Sequence, residues 1–289
     1  MTRIADAASL SSRQNLQPSP RMPVLFIGHG SPLNVIEPNA FRPKWEALGL
    51  EFGGGPGAHW PRPQLILCIS AHWITPGWWL TGMEKPPTIH DFGGFPQALF
   101  DQQYPAPGAP VVARALSSEL KDPSQGQPLN LDEQAWGLDH GTWSVLKPMF
   151  PAADIPVLQL SLDYSRPPAE HYALGQQLRA LRERGVLIVG SGNIVHNLRT
   201  MRRGAATDQA YDWALEFDQR MGSHIAQGEL DALAGFLQLG ELARLAHPTH
   251  DHFLPLLHAA GAVHVGEAPR FFNEKFQGAS ISMRSVVWS

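Results

Sequence analysis

The stretch VLIVGSGNIVHN, residues 186–197, combines the two features that decide the fold. Four consecutive apolar residues, 186–189, have the length and composition of a buried strand, and a glycine-rich turn follows them directly. Similar apolar runs occupy residues 24–27, 65–70 and 157–160, and each ends at or beside a glycine or serine. These four runs are predicted to form strands inside a sheet.

Helical patterns separate or follow these strands. Residues 167–184 carry leucines along one side, and residues 208–227 carry large apolar side chains at four-residue spacing. The alternation of strands and helices predicts an α/β class, with a layered α/β/α domain around a central, mostly parallel or mixed sheet. The C-terminal sequence SISMRSVVWS, residues 280–289, partly alternates between polar and apolar and is expected to add a strand.

Chain length and composition set the domain organisation. With 289 residues, 43% of them hydrophobic, the chain can bury a large core. No obvious linker separates two halves, so we predict one domain over residues 22–289. Residues 1–21 contain several serines and a single acid, Asp6, and are predicted to form a disordered extension.

Charge, hydropathy and cysteine content exclude several classes of partner. The net charge of -4 is dispersed without a long run of either sign, so no nucleic-acid partner is expected. No stretch reaches the roughly 18 to 20 consecutive apolar residues of a spanning helix, so no membrane association is expected. The only cysteine, Cys68, lies inside the apolar run LILCIS, which excludes an internal disulfide and predicts a reducing, cytoplasmic location.

Several of the 13 histidines fall where a predicted strand stops or a helix starts. His29, His72 and His196 follow three of the apolar runs, and His252 stands at a helix start. Ligands of open α/β sheets bind outside the carboxyl ends of the strands, so these imidazoles are expected to converge. Imidazole suits zinc, iron, copper and nickel, and three protein ligands leave a position open for chemistry.

Motifs of rival enzyme classes are missing. The sequence has no HExxH helix, no GxSxG elbow, no GxxxxGK[ST] loop and no GxGxxG at a strand-to-helix turn. Two other readings of the histidines stay open. A zinc-dependent hydrolase of an amide or ester would use the same set to activate water. A catalytically silent metal-binding protein would close the shell with four histidines.

Long, unusual strings connect the sequence to a known family. They are FIGHGSPLNVIE, SAHWIT, PPTIHDFGGFPQALF, YPAPG, WGLDHGTWSVL, VGSGNIVHNLR and HPTHDHFLPLL. In these strings, and in their order from about residue 22 to the end, the chain resembles the class III extradiol dioxygenases of the LigB-like superfamily, in the DOPA 4,5-dioxygenase branch. The resemblance implies an oxidoreductase that opens catechol rings with O₂.

The resemblance also implies roles for individual residues. His29, His72 and His252 match metal-ligand positions, and His196 is implied either as a further ligand or as a catalytic base. His140 in DHGTW is implied as the second catalytic histidine. The segment 90–96 resembles a pocket wall, with His90 and Phe95 as substrate contacts. Asp251 stands where related enzymes place a glutamate, so it is an alternative third ligand.

The implied reaction sets the cofactor and the partners. Fe(II) is expected for activity because a redox metal can pass an electron from catecholate to O₂, whereas Zn(II) can occupy the site but not take that part. The expected partners are O₂ and a small, DOPA-like catechol, which would be opened to a semialdehyde acid. The physiological catechol and the oligomeric state are left open by the sequence.

Overall fold

The four predicted strands form the centre of an eight-stranded sheet in the computed structural model, which describes residues 16–289. The strands are β1 (Val24–Gly28), β2 (Leu65–Ile74), β3 (Trp79–Thr81), β4 (Asn130–Asp132), β5 (Val157–Leu162), β6 (Val186–Gly192), β7 (Pro269–Phe272), β8 (Phe276–Gln277), β9 (Ile281–Ser282) and β10 (Ser285–Trp288). The sheet order is β4-β3-β5-β2-β6-β1-β10-β7, and β8 pairs with β9. Strands β5, β2, β6 and β1 are parallel, and antiparallel pairs at β3, β10 and β7 make the sheet mixed, as predicted.

Helices cover both faces of this sheet. They are α1 (Arg42–Gly49), α2 (Gln97–Phe100), α3 (Pro110–Glu119), α4 (His140–Met149), α5 (Pro168–Gln177), α6 (Asp212–Gln227), α7 (Glu241–Ala246) and α8 (Leu254–Gly261), with 3-10 turns at Pro32–Val35, Leu178–Arg184, Leu198–Thr200 and Asp231–Leu239. Alternate residues of β1 enter two separate hydrophobic clusters, because successive strand side chains point to opposite faces. One cluster contains side chains of α5, α6 and α8, and the other contains those of α1 and α4. The layered α/β/α prediction is confirmed.

The predicted elements differ from the observed ones mainly at their ends. The helical segment 167–184 divides into α5 and a 3-10 turn that ends at Gly185, whose φ is 71°. Helix α6 begins at Asp212 instead of residue 208. Strand β2 continues past Ser70, and its register with β5 shifts between Ile69 and Ile74. The predicted C-terminal strand is β10, which pairs with both β1 and β7.

The first 21 residues lie only partly within the described range. Residues 1–15 are outside it, and the prediction of disorder for them falls there. Residues 16–21 contact the domain: Leu16 packs against the core, and the backbone N–H of Ser19 donates to the carbonyl of Glu183. The domain therefore begins before residue 22.

Within residues 16–289, no helix has both the length and the apolar character needed to cross a membrane.

Candidate metal centre

Five imidazoles meet at the carboxyl edge of the parallel strands. His29 follows β1, His72 lies in the irregular end of β2, and His196 follows β6. His140 is the first residue of α4, and His252 comes two residues before α8. The ring centroids are separated by 5.1 Å for His29–His72, 5.2 Å for His29–His252, 5.0 Å for His72–His252, 3.8 Å for His72–His140 and 3.5 Å for His196–His252. The structure thus brings together all five histidines that the sequence analysis selected for metal binding and catalysis.

The ring of His29 has a defined tautomer. The hydroxyl of Ser191 lies 2.5 Å from the carbonyl oxygen of Gly141 and 3.0 Å from Nδ1 of His29. A carbonyl oxygen only accepts, so the hydroxyl hydrogen of Ser191 is donated to Gly141, and Ser191 accepts from Nδ1–H of His29. The lone pair of His29 is therefore on Nε2.

That lone pair faces another imidazole nitrogen. Nε2 of His29 lies 3.3 Å from Nε2 of His72, and Nδ1 of His72 lies 3.5 Å from Oδ2 of Asp91. The carboxylate favours a hydrogen on Nδ1 of His72, which leaves two bare nitrogen lone pairs directed at the same space. A shared cation would stabilise this arrangement, because imidazole binds divalent metals through such lone pairs.

A carboxylate orients the ring of His252. Oδ2 of Asp251 lies 2.5 Å from Nδ1 of His252, so Nε2 is the free nitrogen of that ring. Carboxylates in this position typically fix the orientation of a metal-binding histidine. Asp251 is thus engaged as an orienting group for His252, which does not favour the reading in which Asp251 itself is the third ligand.

His196 stacks on His252 in a nearly parallel manner. The angle between the two ring planes is 5°, and the ring centroids are 3.5 Å apart. Imidazole lone pairs lie in the plane of the ring, so two stacked rings direct them along parallel planes. Metal–nitrogen bonds of about 2.0–2.1 Å cannot then be made by both rings to one ion. This geometry favours His196 as a base over His196 as a ligand.

His140 is held at the start of α4 by two carboxylates. Asp139 caps the helix by accepting from the backbone N–H of Thr142 at 3.0 Å, and Oδ1 of Asp91 accepts the N–H of His140 at 2.9 Å. Oδ2 of Asp91 lies 2.9 Å from Nδ1 of His140. A ligand atom of His140 also lies within 4.8 Å of ligand atoms of His29 and His72, so geometry alone admits His140 as a third ligand.

Burial favours the neutral form of four of these imidazoles, those of His29, His72, His196 and His252. Desolvation, followed by the effect of neighbouring imidazoles, lowers the pKa of His29 and of His252 well below the ordinary value. Desolvation also lowers the pKa of His72 to about 3 and that of His196 to about 4. Burial alone would raise the pKa of Asp91, but its contacts with His140 outweigh burial and lower it. Neutral imidazoles beside an ionised carboxylate are the protonation states that a cation requires.

The segment 90–96, predicted as a pocket wall, lies beside the histidines through Phe92. Nε2 of His90 donates to the carbonyl of Gln102 at 2.9 Å, and its ring packs against Phe92 and Trp143. Phe95 contacts Phe92 at a centroid distance of 5.3 Å. The aromatic ring next to the centre is Phe92, 5.5 Å from His140. No contact of His90 or Phe95 with the five histidines is seen among residues 16–289, so their role as substrate contacts stays a prediction.

Glycines allow the elements of the centre to approach closely. A Cβ on Gly192 would lie 2.2 Å from the carbonyl oxygen of His252, and one on Gly141 would lie 2.4 Å from Oγ of Ser70. Gly30 alone, among the glycines that flank His29 and precede His196, has a positive φ, 57°. The other glycines there are needed for space, because an added Cβ would meet neighbouring backbone atoms.

Sequence reasoning missed three residues that shape the centre: Asp91, Phe92 and Ser191. Asp91 and Phe92 belong to the string IHDFGGFP, which was assigned only as a pocket wall. Ser191 stands in the glycine-rich turn after β6, where a serine is ordinary. The position of Asp91 directly after His90 was the sequence feature that could have indicated its role.

The chain is similar to several known proteins along most of its length. A family model described as the catalytic LigB subunit of aromatic ring-opening dioxygenase matches residues 25–286. A protein of Escherichia coli (strain K12) named 4,5-DOPA dioxygenase extradiol is 46% identical over 271 residues, covering 93% of this chain and 95% of the relative. A Beta vulgaris protein of the same name is 33% identical over 268 residues, covering 91% and 95%. A crystal structure of an uncharacterized Escherichia coli K12 protein matches with a TM-score of 0.77 and 40% identity, covering 93% of this chain and all of that one, 100%.

Proposed function

Because the chain belongs to the LigB family of aromatic ring-opening dioxygenases and is an extradiol dioxygenase, we propose that it opens a small, DOPA-like catechol with O₂ to a semialdehyde acid. The observation that carries the proposal is the facing pair of nitrogen atoms, Nε2 of His29 and Nε2 of His72, 3.3 Å apart among five buried imidazoles. A hydrolase of amides or esters would find a water-activating metal here as well, but the family and the names of the relatives favour ring opening.

The donor set fits a divalent metal. We assign His29, His72 and His252 as the ligands, because in each ring an oxygen atom faces Nδ1 and leaves Nε2 free. Three neutral nitrogen ligands leave coordination positions for small molecules. When bound, Fe(II) would supply the electron transfer between the aromatic ring and O₂ that Zn(II) cannot supply.

Two histidines carry the proton transfers in this proposal. His196 is neutral at neutral pH, since burial lowers its pKa to about 4, and it accepts a hydroxyl proton of the catechol. Its stacking on His252 keeps it beside the ligands. The free Nε2 of His140 accepts the proton of the second catechol hydroxyl and delivers it to the substrate as the ring opens, and Asp91 compensates the positive charge of the imidazolium that exists between these two transfers.

The aromatic wall gives the catechol an apolar surface. Phe92, backed by Phe95 and Trp143, covers the side of the centre next to His140. Such a wall stacks against an aromatic ring and excludes water. The proposal retains a reducing, cytoplasmic setting, which the buried, unpaired Cys68 supports.

The test is anaerobic loading of the purified protein with Fe(II), followed by a panel of catechols that includes L-DOPA. We expect stoichiometric O₂ uptake and a yellow ring-opened product with Fe(II), and neither with Zn(II). Turnover of amide or ester substrates by the zinc form, together with no O₂ uptake by the iron form, would overturn the proposal in favour of the hydrolase.

A further inference from the structure

We infer that Asp91 is a positioning residue that fixes the tautomer of His140, so that Nε2 of this ring faces the substrate. The inference rests on the proposed function for its catalytic consequence, but the tautomer itself is a property of the protein. Asp91 is not among the residues that the sequence motifs single out for chemistry.

The two oxygen atoms of Asp91 have different partners. Oδ1 accepts the backbone N–H of His140 at 2.9 Å, which fixes the rotation of the carboxylate. Oδ2 is thereby left to face Nδ1 of His140 at 2.9 Å and Nδ1 of His72 at 3.5 Å. Among the described residues, Nδ1 of His140 has no hydrogen bond of good geometry, and the Oδ2 atom of Asp91 is in close charge contact with it. A bare lone pair on Nδ1 would repel the carboxylate at this distance, so Nδ1 of His140 carries the hydrogen.

The backbone around Asp91 is well anchored. Ile89 donates its N–H to the carbonyl of Leu138 at 2.7 Å, and Nε1 of Trp143 donates to the carbonyl of Ile89 at 2.9 Å. Asp91 follows two residues later, with its side chain 16% exposed. The backbone just before Asp91 is therefore tied to α4 and to the residue that precedes its cap, which places the carboxylate at the start of the helix.

Replacement of Asp91 by asparagine should reverse the tautomer of His140. The backbone N–H of His140 still requires an acceptor, so the amide oxygen takes the position of Oδ1. The amide NH₂ then takes the position of Oδ2 and donates toward Nδ1 of His140. Nδ1 must become the acceptor, and the hydrogen moves to Nε2. A wrong histidine tautomer of this kind costs the serine-protease triad about 10⁴-fold in turnover.

Alanine at position 91, unlike asparagine, does not force His140 into the reversed tautomer. Asp91→Ala removes the carboxylate but supplies no donor, so water can reach Nδ1 of His140 and both tautomers are accessible. The isosteric Asp91→Asn variant is therefore expected to be less active than Asp91→Ala. A purely structural role predicts the reverse order, because asparagine preserves volume and the hydrogen bond to the backbone of His140.

The experiment compares Asp91→Asn and Asp91→Ala with Asp101→Asn and Asp101→Ala, which alter an exposed carboxylate of the same segment. Turnover and KM are measured on the Fe(II) enzyme with a catechol that the parent opens. The tautomer of His140 is read from ¹H–¹⁵N correlation spectra of the zinc-loaded protein, with His140→Asn identifying the signal. We expect an Nδ1–H signal for the parent, an Nε2–H signal for Asp91→Asn, and a kcat lowered at least about 10²-fold in that variant with KM little changed.

Two outcomes would overturn the inference: an Nε2–H signal for His140 in the parent protein, or a kcat of Asp91→Asn equal to or above that of Asp91→Ala. The spectrum of the parent requires no turnover and neither of the Asp91 variants. An inactive parent with the Nδ1–H signal would count against the proposed function and leave the assigned tautomer in place.

Discussion

Four of the five imidazoles of the centre have an oxygen atom beside Nδ1 that orients the ring, and three different residues supply these atoms. Ser191 stands behind His29, Asp251 behind His252, and Asp91 behind both His72 and His140. Orienting groups of this kind change metal affinity by about 10- to 100-fold when they are removed. Substitution of these orienting residues should therefore change the metal affinity, although none of them binds the metal.

We predict that Ser191→Ala weakens metal binding by about 10- to 100-fold, because His29 loses the acceptor that holds its hydrogen on Nδ1. Zn(II) affinity can be measured by competition with a chromophoric chelator. Ser223→Ala, on the exposed surface of α6, is the matched control and should bind as the parent does. Equal affinities for the two variants would refute the role assigned to Ser191.

His140 and His252 compete for the third ligand position, and metal content distinguishes them. We expect His252→Ala to lose most bound metal. We expect His140→Ala to retain metal but to lose about 10²- to 10⁴-fold in turnover, as removal of a general acid does. Metal is quantified by atomic absorption after gel filtration. Loss of metal from His140→Ala with retention in His252→Ala would move the third ligand to the triad of His29, His72 and His140.

The candidate ligands could be predicted from sequence because strand ends are visible as apolar runs that stop. The strands preceding His29 and His196 end at glycines, and the carboxyl edge of a parallel sheet then places both side chains together. Ser191 could not be predicted as an orienting group, because its role depends on Gly141, 50 residues away in the chain. Asp91 lies in a loop without periodicity, where no pattern indicates the direction of a side chain.

At the scale of elements, the centre depends on how closely α8 approaches β6. The carbonyl oxygen of His252 accepts from the backbone N–H of Asn193 at 2.9 Å, directly over Gly192. The carbonyl of Pro255 likewise lies over Gly190, where an added Cβ would be 2.5 Å away. The segment that carries His252 is thus fixed by backbone contact with the strand, and its position depends on the absence of side chains there.

We predict that Gly192→Ala displaces this segment and lowers both stability and metal affinity. The added Cβ would lie 2.2 Å from the carbonyl oxygen of His252, and overpacking of this kind typically costs about 1–3 kcal/mol in the free energy of unfolding. Urea unfolding and zinc competition measure the two effects. Gly54→Ala, where an added Cβ meets no atom within 4 Å, should change neither. A Gly192→Ala variant with the affinity of the parent would show that α8 does not position His252.

At the scale of the whole molecule, histidines away from the centre also affect stability. His171 and His258 form a buried pair: Nε2 of His171 faces the carbonyl of Asp163 at 3.1 Å, and its Nδ1 lies 3.1 Å from Nε2 of His258. The carbonyl only accepts, so Nε2 of His171 carries a hydrogen, and His258 donates to Nδ1. The contact between the two rings is satisfied while both are neutral, and a further proton would have no acceptor there.

We therefore predict that the metal-free protein loses stability as the pH falls below about 6.5. Desolvation lowers the folded-state pKa of His171, and likewise that of His247, from 6.5 to about 3. Between these values the unfolded chain binds protons that the folded chain does not, so each histidine removes about 1.4 kcal/mol per pH unit from the free energy of unfolding. Above pH 6.5 neither state takes up these protons, and this contribution is constant. Urea unfolding in the presence of EDTA from pH 8 to pH 5 measures the slope.

His171→Gln should reduce that slope, whereas His59→Gln, in an exposed loop, should leave it unchanged. A slope that His171→Gln does not alter would show that this ring takes up its proton without unfolding, and that the pair is not a source of acid sensitivity.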